Sequence, residues 1–245
     1  MSVAYLRSEI LRMFRSPRFV MFAVAFPILM FLLQSNVFVS KNDKDHAAVV
    51  VVLMVNMMVF GGFGAAMSNA TKLAYERSTG WQRQLRLTPL SGTGYLSGKA
   101  VSALLVGLPA MVLVPVVAWL NQGIDFDLAK WAVLIGVSWA TMIPFIFLGL
   151  LLGQFGTVDS MQPVNMLIMM GMGFLGGLWI PVQSVSWLHD IAQFLPSYGA
   201  VQLGYHVAGS GADASMGSAL LLTGAWTVVL GALVIRRYRK DGARV

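Results

Sequence analysis

An all-α integral membrane protein is the fold class this sequence predicts, and three observations carry the prediction. Of its 245 residues, 57% are hydrophobic and 11% charged, against about a quarter charged in soluble domains. The charges are gathered between six apolar runs, at 19–39, 47–70, 99–120, 130–153, 162–180 and 214–235. Each run is close to the roughly 20 residues a helix needs to cross a hydrocarbon core of about 30 Å. The basic residues, finally, fall mainly on one side.

If the N-terminus is inside, fourteen of the seventeen Lys and Arg fall in the inner pieces, leaving Lys41, Lys44 and Lys130 outside. Positively charged loops stay in the cytoplasm, so both termini are expected there. The net charge of +7 is therefore a signal of topology. Its groups flank membrane ends and do not interleave with aromatics on a soluble face, so no nucleic-acid partner is expected.

The elements follow in order. In 1–16, Val3, Leu6, Ile10, Met13 and Phe14 recur at helical spacing, with Ser8, Arg12 and Arg15 opposite. That pattern predicts a helix lying on the inner membrane surface among the lipids, with Pro17 turning the chain into the first span. The first run is followed by no small-residue cleavage site, which predicts a retained span and not a removable signal. Segment 71–98 is the long inner link, with a charged helical first half ending at Thr88-Pro89 and a turn at Gly92 and Gly94 that sets Lys99 at the headgroups. Between spans five and six, 181–213 is divided by Pro181 and Pro196 into pieces too short to cross. Val185, Leu188, Ile191 and Leu195 predict a short amphipathic helix, and Trp179, Trp187 and Tyr198 suit the headgroup boundary. Short re-entrant helices at the outer face are expected there, and residues 1–245 are read as a single transmembrane domain.

Within the spans, Gly149/Gly153 and Gly173/Gly177 lie four apart and predict close helix packing. Pro27, Pro109, Pro115 and Pro144 predict bends. No span carries an acid, Lys, Arg or His in its interior, whereas carriers coupled to protons or ions use such groups to bind the coupling charge. The polar groups that do occur there include Gln34, Asn56, Asn69, Gln154, Gln162 and Asn165; amides do not titrate, and they either bond neighbouring helices or touch cargo. Asn56, Gln162, Asn165 and Phe174 are the candidate pathway residues.

Catalytic chemistry finds little support. "SGTGYLSGKA" at 91–100 has neither the Walker spacing nor the hydroxyl after Lys99 that would hold magnesium. Cysteine is absent, and no HxxH or HExxH spacing is present, so neither thiolate nor zinc chemistry is expected. No paired carboxylates or Ser-His-Asp grouping supply an acid, base and nucleophile. The chain is expected to be no enzyme and to bind no cofactor of its own.

The inner link resembles the signature of ABC type-2 permeases, the membrane subunits of ATP-binding-cassette exporters, in particular the antibiotic-resistance branch. Glu76, Gly80, Gln84, Leu85, Thr88, Pro89, Gly98 and Lys99 match in order and spacing. Ser78, Trp81 and Arg83 depart from it, which points to a dedicated ATPase. A second block, "GGLWIPVQSVSWLHDIAQFLPSYGAV" at 176–201, is similar to the stretch that follows the family's fifth span, on Pro181, Trp187, Leu188, Pro196 and Tyr198. The resemblance covers essentially the whole chain.

It implies an export permease in the inner (plasma) membrane, paired with a second permease, identical or closely homologous. Two copies of an ATP-binding subunit would hold ATP and magnesium. Residues 76–88 would be the coupling helix, with Glu76 accepting hydrogen bonds from the ATPase, Trp81 and Leu85 filling its groove and Gly80 allowing close approach. The cargo expected is hydrophobic or amphipathic, a drug, antibiotic or lipid; polysaccharide or lipid-linked glycan export is the alternative, and an ion-coupled carrier a remoter one.

Overall fold

The computed structural model describes residues 21–40, 44–80, 92–179 and 185–242, and among these every regular element is a helix. Helix α1 (Phe26–Leu33) is flanked by π-helical turns at Met21–Ala25 and Gln34–Phe38. Then come α2 (His46–Ser78), α3 (Gly92–Gln122), α4 (Leu128–Ala140), α5 (Met142–Phe155) and α6 (Val158–Phe174). Two short helices, α7 (Ser186–Ala192) and α8 (Pro196–Ala208), precede the last, α9 (Met216–Gly242). The predicted interfacial helix at 1–16 lies outside the described residues.

Four stretches are long and apolar enough to cross a membrane: His46–Ser78, Gly94–Gln122, Leu128–Phe155 and Met216–Lys240. The other two expected spans are shorter, Ala23–Phe38 and Val158–Phe174. The fifth stops early because Gly177 takes φ 77°, a left-handed conformation that glycine adopts without strain. The chain folds back there, and Trp179 N–H bonds to the Gly173 carbonyl at 2.9 Å.

Helix α2 is the axis of the bundle. Its residues from Val50 to Ala74 are mostly buried, because α3, α5, α6, α8 and α1 all pack on it. Small residues allow the closest approach. A Cβ at Gly149 would lie 2.8 Å from the Ala66 carbonyl oxygen, and one at Gly153 would lie 2.7 Å from that of Ala70. The Gly149/Gly153 pair thus joins α5 to α2 as its spacing predicts. Gly173/Gly177 does not make such a pair, since Gly177 lies beyond the end of α6 in the turn.

Two prolines sit inside α3, Pro109 and Pro115, and Trp139 Nε1–H of α4 donates to the Leu104 carbonyl at 2.8 Å in the turn before the first. Pro144 falls in the first turn of α5, just past Thr141, where the fourth span is interrupted.

Contacts along the helices fix their directions. Gly61 faces Ala110 and Glu76 meets Lys99, so α3 runs antiparallel to α2. Gly149 and Gly153 follow Ala66 and Ala70, so α5 runs parallel to it. Asn165 bonds Thr71 while the later Gly177 reaches Asn56, so α6 runs back. One end of the bundle therefore gathers Lys72, Arg77, Lys99, Arg236, Arg237, Arg239 and Lys240 with Glu76, Asp159 and Asp241. The far end holds Lys44 and Lys130 with Asp45, Asp125, Asp127, Asp190 and Asp213.

Candidate functional site

At the basic end, α2 runs eight residues past the apolar stretch and ends at Ser78, and Gly80 follows at φ 72°. Among the described residues no atom lies within 4 Å of where a Gly80 side chain would start, and the left-handed backbone turn by itself calls for glycine there. Trp81, Gln84, Leu85, Thr88 and Pro89 lie outside the described residues.

The chain returns as α3 at Gly92, and Gly92 and Gly94 are helical, where a turn is predicted. Each glycine costs a helix about 1 kcal/mol relative to Ala. What offsets this is the packing of the Tyr95 ring and the bonds that Tyr95 and Lys99, four residues apart and so on one face of α3, make to Glu76. Both turn toward Glu76. The Tyr95 hydroxyl donates to Glu76 Oε2, and Lys99 Nζ donates to Oε1 at 2.5 Å. Glu76, Tyr95 and Lys99 are all buried, Lys99 completely.

Two expectations change here. Lys99 does not rest at the headgroups; its ammonium is inside the bundle, where only a charge partner makes burial tolerable. The carboxylate of Glu76, expected to face a partner protein, has both oxygens engaged within its own chain. The sequence carried one hint of this pairing, that both residues belong to the same signature. Spacing says nothing about it, because they lie 23 positions apart on different helices.

The far end is held by neutral groups. Asn56 is fully buried in α2; its Nδ2 donates to the Gly177 carbonyl at 3.1 Å, and its Oδ1 accepts from the Tyr205 hydroxyl of α8. Gln34 Nε2 of the π-turn after α1 donates to the Trp179 carbonyl at 3.1 Å. The turn after α6 is thus held by amides from two other elements. The Trp179 ring meets Phe26, Phe60 and Phe174, the last edge-on at 4.9 Å between centroids.

Beside this, Asp213 accepts from the Tyr198 hydroxyl at 3.0 Å and from the Gln202 amide, and His189 Nδ1 is 3.6 Å away. Burial first, then the hydrogen bond to Asp213 and its negative charge, push the Tyr198 phenol above its ordinary pKa. These groups border a hollow of about 270 Å³ between α7, α8 and α9.

Helix α8 is buried from Pro196 through Tyr205, although its sequence mixes Ser197, Gln202 and glycines with apolar residues and shows no amphipathic period. Trp187 is exposed, and Leu188 is partly so, on the short helix α7. Trp179 and Tyr198, expected at the headgroup boundary, pack inward instead, since each finds partners there. Val185 and Ile191 are exposed, with Ala192 buried in their place. Pro181 lies outside the described residues.

The four pathway candidates do not converge. Asn56 and Phe174 both reach the turn after α6. Asn165 bonds Thr71 Oγ1 at 2.9 Å, nearer the basic end, and Gln162 is exposed on α6.

Comparison with known proteins gives two results. The model of the ABC-2 type transporter family matches residues 3–205. A protein of Bacillus subtilis (strain 168) described as "Putative transport permease YvfS" is 27% identical over 195 residues, 78% of either chain.

Proposed function

Since the chain belongs to the ABC-2 type transporter family, and so is a membrane-spanning subunit that works with an ABC ATP-binding partner, we propose that it is the permease of an exporter of hydrophobic or amphipathic compounds. In this reading the basic end faces the cytoplasm of a cell membrane, both termini lie there, and the chain crosses six times, as one transmembrane domain. Two permeases, identical or closely homologous, assemble with two ATPase subunits, which hold ATP and magnesium. The re-entrant segment at 181–213 shapes the exit.

One observation carries the reading. The inner link joins α2 to α3 at the basic end, and the residues on either side of it are locked together by Glu76, Tyr95 and Lys99. A push on this link has two rigid spanning helices to act on. Glu76 therefore contributes by holding the link, with Trp81, Gln84, Leu85, Thr88 and Pro89 meeting the ATPase and Gly80 turning the chain toward it. The cargo class is supported by the exposed Met166, Leu167, Met170 and Phe174 on α6, a wall that offers dispersion contacts and no charge. Glycan export uses the same family and is the second reading; a sugar chain would call for hydroxyl-matching groups, of which that face of α6 offers Gln162.

The test is reconstitution. The permease, co-purified with its ATP-binding subunit in lipid vesicles, is exposed to lipophilic cations, macrolide-type compounds, lipids and lipid-linked oligosaccharides. Stimulated hydrolysis and uptake into inside-out vesicles by the first three classes support the proposal. Stimulation by the oligosaccharides alone moves the reading to glycan export.

A further inference from the structure

We propose that Lys99 and Tyr95 are positioning residues for energy coupling: with Glu76 they clamp the basic ends of α2 and α3 into one rigid unit, so that the ATPase moves both helices together. The inference rests on the reading that the link between these helices meets the ATPase. It goes further in naming the device that prevents the push from being spent on parting them.

The geometry carries it. Lys99 is wholly buried, Glu76 nearly so, and their charged atoms are 2.5 Å apart. Tyr95 takes the other carboxylate oxygen, and Lys99 Nζ stands 5.6 Å from the centre of the Tyr95 ring. Two groups on α3 thus satisfy the α2 carboxylate at both oxygens and leave it one orientation. A buried ion pair stabilises poorly compared with an apolar contact of equal volume, but it separates at a steep cost because each charge is then left desolvated. Apolar surfaces slide past one another with little penalty. A charge pair does not, and that is the property a transmitting joint needs.

The clamp also sits at the right place along the helices. Below it, Thr79 N–H closes α2 on the Tyr75 carbonyl and Gly80 turns the chain out of the helix. Above it, Ala70 and Ala74 of α2 pack with Met161 of α6, so a displacement entering at Glu76 is passed to a third helix. Ser102 Oγ donates to the Lys99 carbonyl at 2.9 Å, which ties the lysine's own turn of α3.

The chain has no cysteine, so labels can be placed singly. Ser78→Cys and Ser97→Cys, both at exposed positions on the two helices, carry spin labels in the permease–ATPase complex in lipid nanodiscs. The distance distribution is measured without nucleotide and after trapping with ATP and vanadate. In the native background a narrow distribution, the same in both states, is expected. Lys99→Met should lower the ratio of closed to open clamp by at least about 100-fold and make the distance depend on nucleotide. The exchange Glu76→Lys with Lys99→Glu should restore the narrow distribution. Tyr95→Phe, which removes one oxygen, should lower the ratio by about tenfold.

A native distance that changes on trapping, or a Lys99→Met protein with native distances in both states, overturns the clamp. Should Lys99→Met not accumulate, Tyr95→Phe decides, and unchanged distances in it overturn the proposal. Failure of the underlying docking reading is separate, since it shows as full ATPase co-purification with Trp81→Ala, whereas the clamp is read from distances in complexes that contain ATPase.

Discussion

The two ends of the bundle solve the same problem, the burial of polar groups, in different ways. At the basic end a carboxylate, an ammonium and a phenol satisfy one another across two helices. At the far end neutral amides hold backbone carbonyls of an irregular turn, and among the described residues Gln34 Oε1 and Trp179 Nε1 there are buried without a hydrogen-bond partner, as is the Gln154 amide on α5 toward the other end. A paired charged cluster in a low-dielectric interior rigidifies, and a neutral one with unpaired atoms gives less restraint. The difference predicts that the basic end transmits and the far end rearranges, and each experiment below strains one side of that prediction.

The largest effect is expected at the basic end. Lys99→Met leaves Glu76 buried without its cation, and removing one partner of a buried pair costs about 3–5 kcal/mol. The midpoint of thermal inactivation in detergent should fall sharply, and the paired change Glu76→Gln with Lys99→Met should recover part of it. A double variant no more stable than the single one would show that the two charges are not coupled. Next comes docking. Trp81→Ala should weaken ATPase association by about 2 kcal/mol or more, as for an aromatic anchor, and Arg83→Ala by under about 1, as for an exposed ion pair. Co-purified ATPase, measured with both variants fully membrane-inserted, checks the order.

How much of this was legible in the sequence differs between the ends too. The apolar runs were readable because twenty residues without charge have few other uses. Their ends were not, because hydropathy stops at the first charged residue while the backbone helix need not. Lys72, Glu76 and Arg77 read as a charged helix of the inner link, set apart from the span, yet they continue α2 without a break to Ser78. Gly92 and Gly94 read as a turn, and the packing of Tyr95 with the bonds of Tyr95 and Lys99 to Glu76 overrides that local preference. Gly173 and Gly177 look like a packing pair only if both lie in one helix, and the positive φ of Gly177 removes that condition. Helix α8 gave no period because it is buried on all sides over most of its length. Glu76 was legible as a site residue through its motif, but its partner was not, since side chains on different helices are brought together by packing that no spacing records.

An intermediate effect is expected where α5 packs on α2. Gly153→Ala places a methyl 2.7 Å from the Ala70 carbonyl oxygen and 2.8 Å from Leu73 Cβ. Overpacking of this kind costs about 1–3 kcal/mol. Gly224→Ala, on α9 where no atom of the described residues lies within 4 Å, is the control and should change thermal stability little. Equal effects would mean that α5 and α2 are not in this contact in the membrane.

The smallest effect, and the one that sharpens the comparison most, is expected from Tyr205→Phe. It removes only the hydroxyl that donates to Asn56 Oδ1, leaving Asn56 Nδ2 on the Gly177 carbonyl. Side-chain hydrogen bonds between helices in membranes average about 0.6 kcal/mol, because the alternatives also find partners. A far end built to rearrange should accept this loss, since the freed amide can turn toward other donors. The stability change should therefore be under about 1 kcal/mol, several times smaller than for Lys99→Met, while nucleotide-driven opening of the far end becomes easier. Labels at Asn36→Cys and Ser186→Cys, both exposed, read that opening as an increased nucleotide-dependent change in distance. A destabilisation as large as that of Lys99→Met would mean that the amides at the far end are as rigid as the charges at the basic end. The contrast between the two ends would then be one of chemistry only, and not of motion.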